Sequence, residues 1–401
     1  MAIDASQFRI GVNYLPPDRA MNWLDHYDPV ATRAHLHLAA TAGFDSVRVF
    51  LPWDGAQPSP WAIDAGRLRH LVDTADAAAE AGVELVVTLF VGHMSGVNWI
   101  PPWATGGGGG DRRFRVIAGG VVQEPGSGMR NWYTDPEVTA AQEHLAAAAA
   151  GALSGHPALW AWDLGNENSN CTRPPNRVSG ATWLERITGA IRRADPGRAI
   201  TVGLHMEDLE EDRRLGPAEA ARHCDFVCMH GYPIYASWAE GPEDSGLLGF
   251  LALVTRWLAG GAPVLFEEFG LPTGAGSAPA PLSALLVSEP AAAIYTGDAL
   301  DALRAAGCLG AFVWCFSDYD DALFGLPPFD RALHERSFGL WRSDGSAKPA
   351  LAKVSARVGR AVVDPPVTDW LDIDTEAYWA APRRQLERLY RRYRATAARR
   401  S

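Results

Sequence analysis

The sequence predicts an α/β fold, a (β/α)8 barrel with a short C-terminal helical extension, on three observations. Short apolar runs rich in β-branched residues alternate eight times with longer amphipathic or alanine-rich stretches, the pattern of strand–helix units around a parallel sheet. The first run ends in GVNYLPP with no glycine-rich phosphate loop behind it, which argues against an open doubly wound sheet. Polar residues collect where the runs end, at the rim where barrel loops meet.

The expected strands are residues 8–14 (FRIGVNY), 44–50 (FDSVRVF), 83–90 (VELVVTLF), 159–165 (LWAWDLG), 199–204 (AITVGL), 225–230 (DFVCMH), 263–268 (PVLFEE) and 310–316 (GAFVWCF). Helical stretches lie between them, among them 28–43, 65–82 and 136–153. Gly43 and Gly82, free to take positive φ, end two of these just before the next strand. Residues 91–135 form a long third loop, which the glycine run at 106–110 is expected to make mobile. The barrel is assigned to residues 1–361. Beyond it Pro365 and Pro366 break the pattern, and 362–401 reads as a loop and an amphipathic helix with Leu386, Leu389, Tyr390 and Tyr393 on one stripe. That extension is expected to pack on the barrel or on a partner subunit of a homo-oligomer.

A chain of 401 residues, 47% hydrophobic and 21% charged, has an ordinary globular composition with material for a sizeable core. Its net charge of -11 excludes nucleic acid as an expected partner, the one basic stretch being RRQLERLYRRYRATAARR in the C-terminal helix. MAIDASQFRIGVNY lacks the succession of a secretory signal, and no run of about eighteen apolar residues occurs. The expectation is a cytoplasmic protein with no membrane contact. Cys171, Cys224, Cys228, Cys308 and Cys315, odd in number and scattered, fit reduced thiols. Cys224 and Cys228 have no second pair at metal-binding spacing, so neither a metal nor a cofactor is expected.

Two apolar runs end in acids: Asn166-Glu167 follows AWDLG, and Glu267-Glu268 follows PVLF. A buried carboxylate costs several kcal/mol unless paired or protonated, so such endings point to chemistry. Two carboxylates across a substrate suit cleavage of a glycosidic bond. One, with a raised pKa, protonates the leaving oxygen; the other, ionised, attacks or activates water. Around them stand Arg48 inside the second strand, His93 after the third, His205 after the fifth, His230 and Tyr232 at the end of the sixth and Trp314 in the eighth. Any one of these alone could serve packing, whereas a ring of them at one end of the strands argues for a site. Trp53, Trp61, Trp99, Trp103, Trp132 and Trp238 fall in loops expected on that face, where rings could stack on sugars.

WDLGNEN, PVLFEEFG, Arg48, the His-Gly-Tyr of strand six and Trp314 resemble the retaining glycoside hydrolases of clan A, particularly family 5, over residues 8–360. Within that family GVNYLPP, VRVFLPW, LGNEN and EEFG are most similar to β-mannosidases and mannanases. The resemblance implies Glu167 as acid/base, Asn166 as the ligand of the sugar 2-hydroxyl and Glu268 as nucleophile. Adjacent strand residues face opposite ways, so one of Glu267 and Glu268 is expected in the site; the motif, not parity, selects Glu268. It further implies that Arg48 and Tyr232 hold Glu268, that His93, His205 and His230 face the sugar, and that Trp314 is the stacking platform. The implied function is a retaining β-mannosidase acting on a small oligosaccharide or glycoside, with an endo-acting mannanase or glucanase as the alternative. A metal-dependent barrel hydrolase would show His-x-His on strand one, where this chain has Val12, Asn13 and Tyr14. A barrel that only binds sugar would lack one glutamate, and both are present.

Overall fold

Residues 6–274 and 285–400 are described by a computed structural model. Eight strands make one sheet: β1 Arg9–Asn13, β2 Ser46–Pro52, β3 Glu84–Val91, β4 Leu159–Asn166, β5 Ala199–Gly203, β6 Val227–His230, β7 Val264–Phe269 and β8 Gly310–Val313. The sheet runs β5-β4-β3-β2-β1-β8-β7-β6 with all pairs parallel. The remaining seam closes through a bridge between His205 and His230, where the His230 N–H donates to the Leu204 carbonyl at 2.8 Å. The result is a closed parallel barrel.

Around it lie α1 Pro29–Ala42, α2 Ala65–Ala81, α3 Pro136–Ala152, α4 Arg177–Ala194, α5 Pro217–His223, α6 Gly246–Leu258, α7 Glu289–Ala305 and α8 Pro349–Ser355. Their ends follow local sequence. Asp28, Asp64 and Asp135 accept backbone N–H bonds at the N-termini of α1, α2 and α3, while Gly43 and Gly82 end α1 and α2 at φ 97° and 77°.

Inside the barrel Val86, Ala161, Phe226, Cys228, Leu265 and Phe312 make an apolar floor. Gly11 is required there, because a Cβ would lie 2.3 Å from the Phe312 ring. Towards the C-terminal ends of the strands the filling turns polar: Asn13, Arg48, Thr88, Asp163 and Glu267 are fully buried.

The third loop departs from expectation. Residues His93–Met94, Val97–Trp99, Arg115–Ala118 and Val121–Val122 form a separate four-stranded sheet, and Thr105–Gly109 is a strand bridged to Met129. Glycine here permits close approach of two backbones: a Cβ on Gly128 would meet the Gly107 carbonyl oxygen at 2.4 Å.

Residues Thr375–Ala380 and Pro382–Arg400 form α9 and α10. Leu386, Leu389 and Tyr390 are buried, and the rings of Tyr390 and Tyr393 lie 5.0 and 5.6 Å from Phe250 of α6. Tyr378 donates to the Leu209 carbonyl at 2.7 Å. The extension therefore rests on α6 and on the loops after β5 and β6. Leu389→Ala should lower unfolding free energy by about 2–5 kcal/mol in urea titrations, whereas the exposed Arg391→Ala should stay within about 0.5 kcal/mol of wild type.

Candidate active site

Where the polar barrel filling reaches the C-terminal rim it opens into a cavity of about 370 Å³, within the range of small-ligand pockets. Arg48 on β2 is the hub beneath it. Its buried guanidinium donates to Thr88 Oγ1 (2.8 Å), Asn13 Oδ1 (3.1 Å), Asp163 Oδ2 (2.8 Å), Asn166 Oδ1 (2.9 Å) and Glu268 Oε1 (2.5 Å). Burial opposes its charge, but Glu267, Asp163 and Glu268 outweigh burial and raise its pKa above the usual arginine value.

Glu268 lines the cavity and also accepts the Tyr232 hydroxyl at 2.9 Å. Strict alternation would have chosen its neighbour, since Leu265 and Glu267 share the inward face of β7. The pairing of β7 shifts against both neighbours: Met229 pairs with Phe266 but His230 with Glu268, and Phe266 pairs with Ala311 but Phe269 with Val313. This irregularity turns Glu268 inward as well. Contrary to the expectation from parity, Glu267 stays inside, with Oε1 3.4 Å from Arg48 Nε and Oε2 3.3 Å from His230 Nε2.

Glu167, just beyond β4, has φ 49° and ψ 48°, a left-handed conformation uncommon outside glycine and asparagine and a mark of a constrained site. Its Oε2 accepts from Asn170 Nδ2 at 3.0 Å, and His230 Nδ1 lies 3.2 Å from Oε1. One oxygen of Glu167, one of Glu268 and a ring nitrogen of His230 all lie within 4.8 Å of one another.

The acid member of the pair was expected to have a raised pKa, and the opposite holds. Burial pushes Glu167 up, but His205, His230 and His93 outweigh it and hold its carboxyl well below the usual range. His230 moves the other way. Burial would depress it, yet Glu268, Glu167 and Glu267 push it up to about 10, so the ring is an imidazolium between carboxylates. His230 turns both ring nitrogens to acids, Nδ1 to Glu167 and Glu268 and Nε2 to Glu267, and the group forms an ion-pair cluster.

His93 donates from Nδ1 to Asn98 Oδ1 at 2.7 Å and turns Nε2 to Glu167 at 3.9 Å, with burial pushing its pKa down against the pull of Glu167. His205 Nε2 lies 2.9 Å from Ser169 Oγ and 3.1 Å from Arg213 Nη1, and its Nδ1 is 3.8 Å from Glu167. Asn166 uses one amide hydrogen on the His93 carbonyl, 2.9 Å away, and keeps the other. Such an array can deliver a proton at Glu167 while presenting a charge-stabilised carboxylate at Glu268.

A sequence profile described as Cellulase (glycosyl hydrolase family 5) matches residues 4–320. The chain belongs to glycosyl hydrolase family 5. It is similar to crystal structures of a GH5_18 protein from Streptomyces cattleya, one in complex with GlcNAc and one, a variant, with Manb1-4GlcNAc. The first has a TM-score of 0.81 at 24% identity, covering 98% of this chain and 92% of that one. It is also similar to an exo-beta-1,4-mannosidase from Opitutaceae bacterium strain TAV5 at TM-score 0.72 and 26% identity, over 89% of this chain and 62% of that one. Mannan endo-1,4-beta-mannosidase F of Aspergillus fumigatus is 24% identical over 260 residues, 60% of this chain and 54% of its own length. The chain spans about half the length of such curated relatives.

In this family 5 chain Arg48 lies beneath the cavity, while His93, Asn166, Glu167, His205, His230, Tyr232, Glu268 and Trp314 all line it. The loop tryptophans do not. Trp53, Trp103 and Trp132 pack edge to face, Trp99 is buried, Trp238 packs on Tyr390, and Trp61 stands exposed beside His144. Their place on the wall is taken by residues sequence reading passed over: Ser95, Arg113, Phe114, Tyr235, His334 and Glu335. Among the described residues no helix is long and apolar enough to cross a membrane.

Because the folded state raises His230 from 6.5 to about 10, its stabilising contribution is complete below about pH 6.5 and disappears as pH rises through about 10. The thermal midpoint of the wild type should fall over that window. His230→Asn, which keeps hydrogen bonding without charge, should start lower at pH 7 and lose most of the decline. A decline of equal size in both proteins would contradict the assignment.

Proposed function

We propose that this chain is an exo-acting, retaining β-mannosidase that removes single sugars from the non-reducing end of short β-mannosides, with Glu268 as nucleophile and Glu167 as acid/base. The separation of the two glutamates carries this reading. Oxygens within 4.8 Å suit double displacement, for which carboxyls about 5 Å apart are required, and leave no room for the water of an inverting site. The mannosidase names and the Manb1-4GlcNAc complex among its relatives support β-mannosides, including mannosyl-GlcNAc, as substrates.

Glu268 attacks the anomeric carbon while Glu167 protonates the leaving oxygen; water, deprotonated by Glu167, then cleaves the glycosyl-enzyme and restores the β configuration. Arg48 and Tyr232 stabilise the charge on Glu268 before attack and give it up as the ester forms. Before substrate binds, the acid proton rests on His230. Imidazolium beside Glu167 carboxylate holds as many protons as imidazole beside carboxylic acid, and a sugar that displaces water from Glu167 favours the second arrangement. The free hydrogen of Asn166 takes the 2-hydroxyl, and Trp314 packs on the ring.

The rim supports exo action. Arg115 pairs with Asp330 at 2.6 and 2.7 Å, and Ser95 Oγ donates to Glu335 at 3.0 Å, so the third loop is joined to the loop after β8 across the ends of β1 and β2. That side of the cavity is closed to a longer chain. Free thiols fit a cytoplasmic enzyme that meets imported or trimmed short oligosaccharides. Digestion of mannopentaose followed by proton NMR and product sizing should give β-mannose first, released one unit at a time. First-formed α-mannose would exclude retention, and early mixtures of di- and trisaccharides would indicate an open, endo-acting cleft.

A further inference from the structure

Glu335 belongs to the loop after β8, in a 3-10 turn Leu333–Ser337, and is buried while lining the same cavity as Glu167 and Glu268. Its surroundings differ from those of the acids around Arg48. Asp163, Glu267 and Glu268 share Arg48, whereas the one ion-pair neighbour of Glu335 among the described residues is His334, whose Nε2 is 3.5 Å from Oε1 and whose pKa burial lowers. Burial, reinforced by the charges of Glu268 and Glu167, pushes Glu335 up to about 7 against the hydrogen bonds it accepts.

Those bonds come from neutral hydroxyls. Ser95 Oγ donates to Oε2 at 3.0 Å and Tyr235 Oη to Oε1 at 3.2 Å, with the Tyr235 oxygen 2.7 Å from His334 Nε2. A carboxylate has about four acceptor positions, and among the described residues side-chain donors reach two of them. Burying a carboxyl without a cation costs several kcal/mol unless donors arrive from elsewhere. The cavity is where they can arrive.

Position identifies the donors. Ser95 stands two residues past His93, and Tyr235 three past Tyr232, so Glu335 lies one layer further out than the glutamate pair. It is held between the loops after β3 and β6 on the half of the barrel that carries β8. The departing group leaves on the other half, by Glu167 and the partly exposed pair Arg113 and Glu207. Resting on the exo-mannosidase reading above, we propose that Glu335 is a specificity-determining residue that accepts hydrogen bonds from the hydroxyls of the terminal sugar farthest from the scissile bond, at positions 4 and 6. It thereby makes an unsubstituted non-reducing end a requirement for turnover.

The test is a cycle of enzyme and substrate variants: wild type and Glu335→Gln, each with 4-nitrophenyl β-mannoside and its 4-deoxy and 6-deoxy analogues. A hydrogen bond to a charged group corresponds to a roughly 10- to 100-fold effect, so wild-type kcat/KM should fall by that factor on at least one analogue. Glu335→Gln should lose a similar factor on the parent and no more than about twofold further on that analogue, because the same interaction cannot be lost twice. Losses that multiply would assign Glu335 a purely structural role and overturn the proposal. So would wild type treating both analogues within about twofold of the parent, a measurement that needs no variant to fold. Wild-type inactivity on the parent would overturn the mannosidase reading alone, and the cycle then applies to whichever β-glycoside the enzyme cleaves.

Discussion

One buried guanidinium organises this molecule. Arg48 reaches from β2 to Asn13 on β1, Thr88 on β3, Asp163 and Asn166 on β4 and both glutamates of β7, tying five of eight strands through a single charge. Without it the upper barrel would hold several carboxylates with no adequate counter-charge, a destabilisation of roughly 3–5 kcal/mol for each broken buried pair. The apolar floor below can be filled by any well-packed set of side chains; the polar storey above needs this one.

From that constraint the rest of the site follows. Arg48 secures Glu268 and Glu267 from below, which leaves His230 to bridge the same two acids to Glu167 from the side. In the proposed mechanism the two halves of the chemistry are thereby linked electrostatically: charge lost from Glu268 when an ester forms would be felt at His230 and, through it, at Glu167. Under that proposal Glu167 changes from acid to base without moving a side chain.

The barrel was legible because buried parallel strands are written as nearly continuous apolar runs and helix ends as Asp and Gly. Glu167 and Glu268 were legible because acids break those runs. What escaped reading depended on contacts distant in sequence. The low pKa of Glu167 arises from imidazoles gathered at the ends of three other barrel strands, and the inward turn of Glu268 from a register shift that no period-two pattern records. The small third-loop sheet has strands of two to five residues, too short for a periodic signal, and its glycines read as flexibility when they serve backbone contact. Glu335 sits in LHERS, which by composition is an ordinary exposed turn; only the fold of the surrounding loop buries it.

Glu268, rather than its inward-facing neighbour Glu267, is the carboxylate that Arg48 and Tyr232 are proposed to prepare for attack. Incubation with 2-deoxy-2-fluoro-β-mannosyl fluoride, followed by proteolysis and mass spectrometry, tests this directly. A single covalent 2-fluoromannosyl adduct fragmenting to Glu268 is the predicted result, and an adduct on Glu267, or time-dependent turnover with no adduct on either residue, would contradict it.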